Sequence, residues 1–144
     1  MTHPFRFIFI LAASLLAVLA AFAPARADDA ASARDVIESQ INAFLSDDMD
    51  AAYSFAAPAI KQLYPDQSRF FDMVKRGYEP VYRPGNFAFG RSKAAADGAG
   101  IVQEVIIQGP DGQDWTALYS LERQPDGTLK INGVQMFKSA APQT

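Results

Sequence analysis

The sequence predicts an α+β domain in which N-terminal helices precede and cover a four-stranded antiparallel meander. Two patterns carry that prediction. Apolar residues recur at helical spacing over the first half of the domain, and four alternating runs separated by Asp-Gly turns fill the second half. A third observation sets the limits. Residues 1–27 have the composition of an export signal, which assigns the domain to 28–138 and leaves 139–144 as a loose tail.

The leader has a basic start at Arg6 and an uncharged apolar run from Phe7 to Phe22. It ends in Pro24 and the small-x-small exit Ala25-Arg26-Ala27, ahead of Asp28 and Asp29. Those are the three parts of a cleavable secretory signal, and the run is shorter than the roughly 20 residues that span a bilayer. Cleavage near Ala27 is expected, giving a periplasmic or secreted chain with no stable membrane anchor. No cysteine follows the run to take a lipid, and no paired arginine precedes it, so the ordinary unfolded-chain export route is expected.

Each later element has its own signal. Ser32 with Asp35 three residues on reads as a capping box that opens a helix over Ala33 to Ser46. Ile37, Ile41, Phe44 and Leu45, with Val36 alongside, form its buried stripe. Asp48 is placed to cap a short helix from Met49 to Ala56. Pro58 opens another through Tyr64, stopped by Pro65. Ser68 opens a third over Arg69 to Arg76, closed by Gly77. The Pro-bounded stretch Glu79 to Gly85 reads as a stiff crossover into the sheet. Strands are expected at Asn86 to Ala95, Ile101 to Gln108, Trp115 to Gln124 and Leu129 to Lys138. The turns Asp97-Gly98, Pro110-Asp111-Gly112 and Pro125-Asp126-Gly127 are too short for anything but antiparallel neighbours. Alternation puts Ile101, Val105, Ile107, Trp115, Ala117, Tyr119, Leu121, Leu129, Ile131 and Phe137 toward the helices. Gly133, next to Asn132, marks a bulge or a close backbone approach. The reverse face carries Val102, Ile106, Leu118, Val134 and Met136, more apolar than a face meeting only water, so a partner such as a second copy in a homodimer is expected to cover it.

Composition narrows the chemistry. The chain has 13 basic and 16 acidic residues; without Arg6 and Arg26 the mature domain keeps 11 against 16. That balance argues against nucleic acid or an anionic membrane surface as partner. There is no cysteine, and the single histidine is His3, within the leader. The mature domain therefore lacks a Ser-His-Asp triad, a thiol nucleophile and any imidazole or thiolate zinc ligand. No glycine-rich phosphate loop and no pattern for a cofactor appears. Asp47, Asp48 and Asp50 cluster, but without further ligands at loop spacing they read as helix caps rather than a calcium site.

Helices followed by a meander over this length form a layout that residue detail makes more specific. Val36-Ile37-Glu38-Ser39-Gln40-Ile41-x-Ala43-Phe44, Asp50-Ala51-Ala52-Tyr53-x-Phe55-Ala56 and Leu129-Lys130-Ile131-Asn132-Gly133-Val134 resemble the cone-shaped nuclear transport factor 2-like (cystatin-like) fold, with helices against a curved sheet. Pro80-Val81-Tyr82-Arg83-Pro84, Trp115-x-Ala117-x-Tyr119 and the Pro-Asp-Gly turn before Ile131 resemble an uncharacterised family of small secreted bacterial proteins. The resemblance implies a fold and a compartment, and no activity. Enzymes of the wider fold, such as ketosteroid isomerases and polyketide cyclases, use an Asp or Asp–His pair with Tyr in an apolar cone. Here Glu104 and Glu122 fall on the outer face and the mature domain has no histidine, so no catalytic residue is assigned.

A ligand site, if built in the cone, would take Tyr53, Tyr64, Phe71, Tyr82, Trp115 and Tyr119 as its wall. Arg83, stiffened between Pro80 and Pro84, and the amide of Asn132 complete the candidate set. The function expected is an exported, non-catalytic domain that binds a small apolar ligand or a protein partner. The alternatives are a structural homodimer, or a small isomerase, dehydratase or hydrolase running on a Tyr–carboxylate pair that would need Asp72 or Glu79 to reach the cone.

Overall fold

The computed structural model describes residues 26–139. Five helices come first: α1 (Arg26–Leu45), α2 (Met49–Ser54), α3 (Pro58–Leu63), α4 (Gln67–Gly77) and α5 (Glu79–Tyr82). Four strands follow: β1 (Asn86–Ala94), β2 (Gly100–Gln108), β3 (Asp114–Arg123) and β4 (Leu129–Lys138). They form one antiparallel sheet in sequence order. The expected α+β class and the meander are both present. The leader assignment falls almost wholly outside the described residues. Among those described, no helix is long and apolar enough to cross a membrane.

Helix α1 begins well before the expected Ser32 cap, which lies inside it. Its first turn carries Asp28 and Asp29, a favourable sign at a helix N-terminus. Asp29 also pairs with Arg123 of β3 at 2.8 Å. Ala30 and Ala33 are buried one turn apart, extending the stripe of Ile37, Ile41 and Phe44 backward. Strong helix formers with tertiary contacts thus outweigh a local capping signal. At the other end Leu45 is 43% exposed and leaves the stripe.

The chain leaves α1 through a Schellman turn. The Asp48 amide donates to the Ala43 carbonyl at 2.8 Å and the Asp47 amide to the Phe44 carbonyl at 3.0 Å. Asp47 takes the left-handed conformation there, with φ of 52°. Asp48 caps α2 as expected, its side chain accepting from the Ala51 amide at 3.1 Å. The cap of α4 is Asp66, which accepts from the Ser68 amide at 2.9 Å, so Ser68 is the second residue of that helix rather than its start. Gly77 is its last helical residue and has no positive φ. The stretch expected as a crossover winds into α5, with Pro80 in its first turn and Val81 buried.

The three strand turns share one construction. Gly98, Gly112 and Gly127 have φ of 71°, 85° and 88°, the left-handed region only glycine enters freely. In each, the preceding Asp accepts from the amide two residues on, at 2.9, 3.0 and 3.0 Å.

A bulge in β4 reassigns the faces. Ser120 pairs with Gly133, but Leu121 pairs with Ile131, leaving Asn132 extra. Strand alternation flips across an inserted residue. Val134 and Met136 therefore pair with Tyr119 and Ala117 and pack against the core. Phe137, expected inside, is 51% exposed on the reverse face, opposite Thr116. The bulge is the one Gly133 pointed to, although a Cβ there would touch nothing within 4 Å, so no close backbone approach exists. A second bulge in β1, between Phe89 and Ser92, is tied down by Gln103, whose Nε2 donates to the Gly90 and Arg91 carbonyls at 3.2 and 3.3 Å. The open edge of β4 is partly covered: the Ala57 amide donates to Ile131, and Ile131 to Phe55, each at 2.8 Å.

Candidate functional site

Between the helices and β4 lies a half-open cleft of about 210 Å³. Its construction follows from the elements above. The stripe of α1 contributes Phe44 and, at the same helical spacing, Gln40. Phe70, Met73 and Val74 form the inward face of α4, at i, i+3, i+4. Ile60 and Tyr64 close it from the α3 side, and Leu63 stands at its rim, strongly exposed. Val134 reaches it because the Asn132 bulge turned that half of β4 inward.

The walls are apolar, with three polar side chains: Gln40, Tyr64 and Tyr78. Gln40 is 4% exposed, and its Nε2 donates to the Ala52 carbonyl at 3.1 Å. No Asp, Glu, Lys or Arg lines the cleft. Asp72 and Glu79, the carboxylates an acid–base reaction would need there, are exposed and outside it. Among the described residues no group of His, Cys, Asp and Glu is arranged to hold a metal ion.

Of the expected wall, only Tyr64 lines the cleft. Tyr53 stands behind it, donating from its hydroxyl to the Tyr64 carbonyl at 2.7 Å and packing edge-on against Phe70 at 5.4 Å. Phe71 is buried between Phe44 and Tyr82, with ring centroids at 5.6 and 5.5 Å. Trp115 is half-buried at the far end of β3, near Lys138. Tyr119 is sealed in the core without a hydrogen-bond partner, and burial pushes its hydroxyl far above the usual phenol range. Asn132 is exposed at the bulge. Gln40 was not among the expected residues, yet it sits between Ile37 and Phe44 on the stripe, where a polar residue is a visible anomaly.

Tyr82 and Arg83 do come together, but at the end of α1. Both donate to Asp47 Oδ1 at 2.7 Å, and Arg83 Nη1 also donates to the Phe44 carbonyl. A guanidinium on the last carbonyls of a helix complements its negative end. The rigid Pro80–Pro84 segment thus locks the turn that follows α1. The Tyr82 hydrogen bond first, then Arg83, holds the Asp47 carboxyl below its ordinary value of 3.8. A carboxyl whose folded pKa is depressed stabilises the fold above its unfolded pKa, and that contribution is lost as pH falls through the folded value. Urea titrations of wild type and Asp47→Asn, which keeps a residue tolerant of the left-handed turn, are expected to differ by a constant amount above about pH 5. The difference should close below 3.8. A difference unchanged down to acid unfolding would rule out this role for Asp47.

The described residues thus make up an α+β domain whose helices and bulged sheet enclose an uncharged apolar cleft. The family model for a domain of unknown function, DUF4864, matches residues 26–144, and the chain belongs to that family. No curated protein and no solved structure matches it.

Proposed function

We propose that the mature chain is an exported, non-catalytic domain of the cone-shaped nuclear transport factor 2-like kind that binds a small apolar molecule in the cleft behind α1 and α4. The observation that carries this reading is the cleft itself: about 210 Å³, walled by Phe44, Phe70, Val74 and Val134, with no ionisable group other than tyrosine. A concave apolar site with few polar groups is the usual form of a ligand pocket. A Tyr–carboxylate enzyme is disfavoured because Asp72 and Glu79 face solvent. Export rests on the composition of residues 1–27. Native mass spectrometry of the mature chain, taken gently from the exported fraction, tests the reading. A defined, dissociable extra mass supports it. A bare chain that also takes up no added small apolar compound contradicts it.

A second reading is favoured by the reverse face of the sheet, where Val102 and Ile106 are each 40% exposed beside Leu118 and the displaced Phe137. Ala88, Ile106, Thr116 and Phe137 form one continuous row across all four strands. Two copies packed through this row would form a homodimer without involving the cleft. Ile106→Asp is then expected to convert a dimer to a monomer in sedimentation equilibrium, with ligand uptake unchanged. A wild-type monomer at all concentrations removes this reading.

A further inference from the structure

We infer that the occupant of the cleft is a small uncharged aromatic molecule carrying one O–H or N–H donor, which it gives to Gln40 Oε1. The inference rests on the reading of the cleft as a ligand site and names what that site selects.

The orientation of the Gln40 amide is forced by chemistry. A backbone carbonyl only accepts, so the atom 3.1 Å from the Ala52 oxygen must be Nε2. Oε1 is left as an acceptor, and among the described residues no group donates to it. It is not one of the sealed, unpartnered side-chain atoms, which are Gln103 Oε1 and Tyr119 Oη. Gln40 is nevertheless 4% exposed and lines the cleft, so the access its oxygen keeps is through that cleft. A ligand that fills the cleft takes this acceptor out of contact with water, so one carrying a donor for it is favoured over one without.

Charge is excluded by the lining. With no Lys, Arg, Asp or Glu in the wall, a carboxylate or ammonium would be desolvated without a counter-charge. Size is set by the volume. About 150 Å³ accommodates benzene, and drug-sized ligands need roughly 300–1,000 Å³; the 210 Å³ here suits one ring with a small substituent. The rings set the shape. Phe44 and Phe70 stand 6.2 Å apart, and Tyr64 meets Phe70 edge-on at 6.5 Å. These three rings form one aromatic cluster in the cleft wall, and a ligand ring lying against it can make the offset or edge-to-face contacts that aromatic pairs favour.

Toluene, phenol and benzoate, three near-isosteric probes, are titrated into the mature chain at neutral pH while backbone amide shifts are followed by NMR. Phenol is expected to bind at least as tightly as toluene despite its greater hydration, and benzoate at least about tenfold more weakly than phenol. In Gln40→Met, which preserves side-chain length, the phenol-to-toluene affinity ratio is expected to fall about tenfold while toluene still binds. Toluene tighter than phenol in the wild type, benzoate equal to phenol, or an unchanged ratio in a folded Gln40→Met overturns the inference and leaves the cleft as a ligand site. If none of the three probes shifts the cleft amides, the ligand-site reading falls with it. Should Gln40→Met fail to fold, the wild-type order of the three probes still decides.

Discussion

Phe44→Ala is expected to destabilise the domain by about 3–5 kcal/mol, the cost of removing a buried phenylalanine and leaving a cavity. Phe44 is 1% exposed, and its ring meets Phe70 at 6.2 Å, Phe71 at 5.6 Å and Tyr82 at 6.2 Å. It therefore joins α1 to α4 and α5 at one point. Its backbone has a second task, because the Phe44 carbonyl accepts from Arg83 and from the Asp47 amide. The mutation removes the ring and keeps the carbonyl, so the loss reads packing alone. A small domain has only about 5–15 kcal/mol in total. The variant should therefore show a large fall in urea midpoint, or fail to accumulate at elevated temperature. Because Phe44 also walls the cleft, toluene binding should weaken even where the variant is folded. A loss under about 1 kcal/mol would mean that the helices are held to one another by some other contact.

Gly100→Ala is expected to destabilise the domain by about 1–3 kcal/mol, the range for forcing extra volume into a closed site. A Cβ at Gly100 would collide with the Leu121 carbonyl oxygen of β3, a backbone atom that cannot turn aside. Gly100 is paired with Glu122 at the start of β2, and the next amide contact, Arg123 to the Ala99 carbonyl at 2.8 Å, lies beside it. The sheet must part there to admit a methyl group. Gly90→Ala is the matched control. Its Cβ would also meet an atom too close, but that atom is Glu104 Oε1, the free end of a flexible side chain. Denaturation midpoints should fall clearly for the first and little for the second. Equal effects would show that the backbone collision is not the source of the cost, since backbone entropy alone favours Ala over Gly within a strand.

The contrast between elements shows what was legible in the sequence. The meander could be read because its turns are chemical statements: an Asp that accepts from the amide two residues on, then a Gly with positive φ. The helix caps were less legible, since Asp66 and Ser68 are both competent caps and only packing chooses between them. The face of Phe137 was misread although the bulge at Asn132-Gly133 was suspected, because alternation was carried straight through the inserted residue. The site was the least legible part. Large aromatics both line the cleft, as Phe44, Phe70 and Tyr78 do, and pack around it or away from it, as Tyr119, Phe71 and Tyr53 do, and residue type does not separate the two. Only Tyr64 of the expected wall faces into it. The informative residue was the out-of-place one, Gln40 on an otherwise apolar stripe.

The most direct test of the account is an amide chemical-shift map of the mature chain as toluene is added. Saturable shifts are expected, concentrated at Val74, Tyr78, Gly133 and Val134, which line the cleft. Shifts confined to Val102, Ile106 and Phe137 on the reverse face, or no saturable shifts at all, would contradict it.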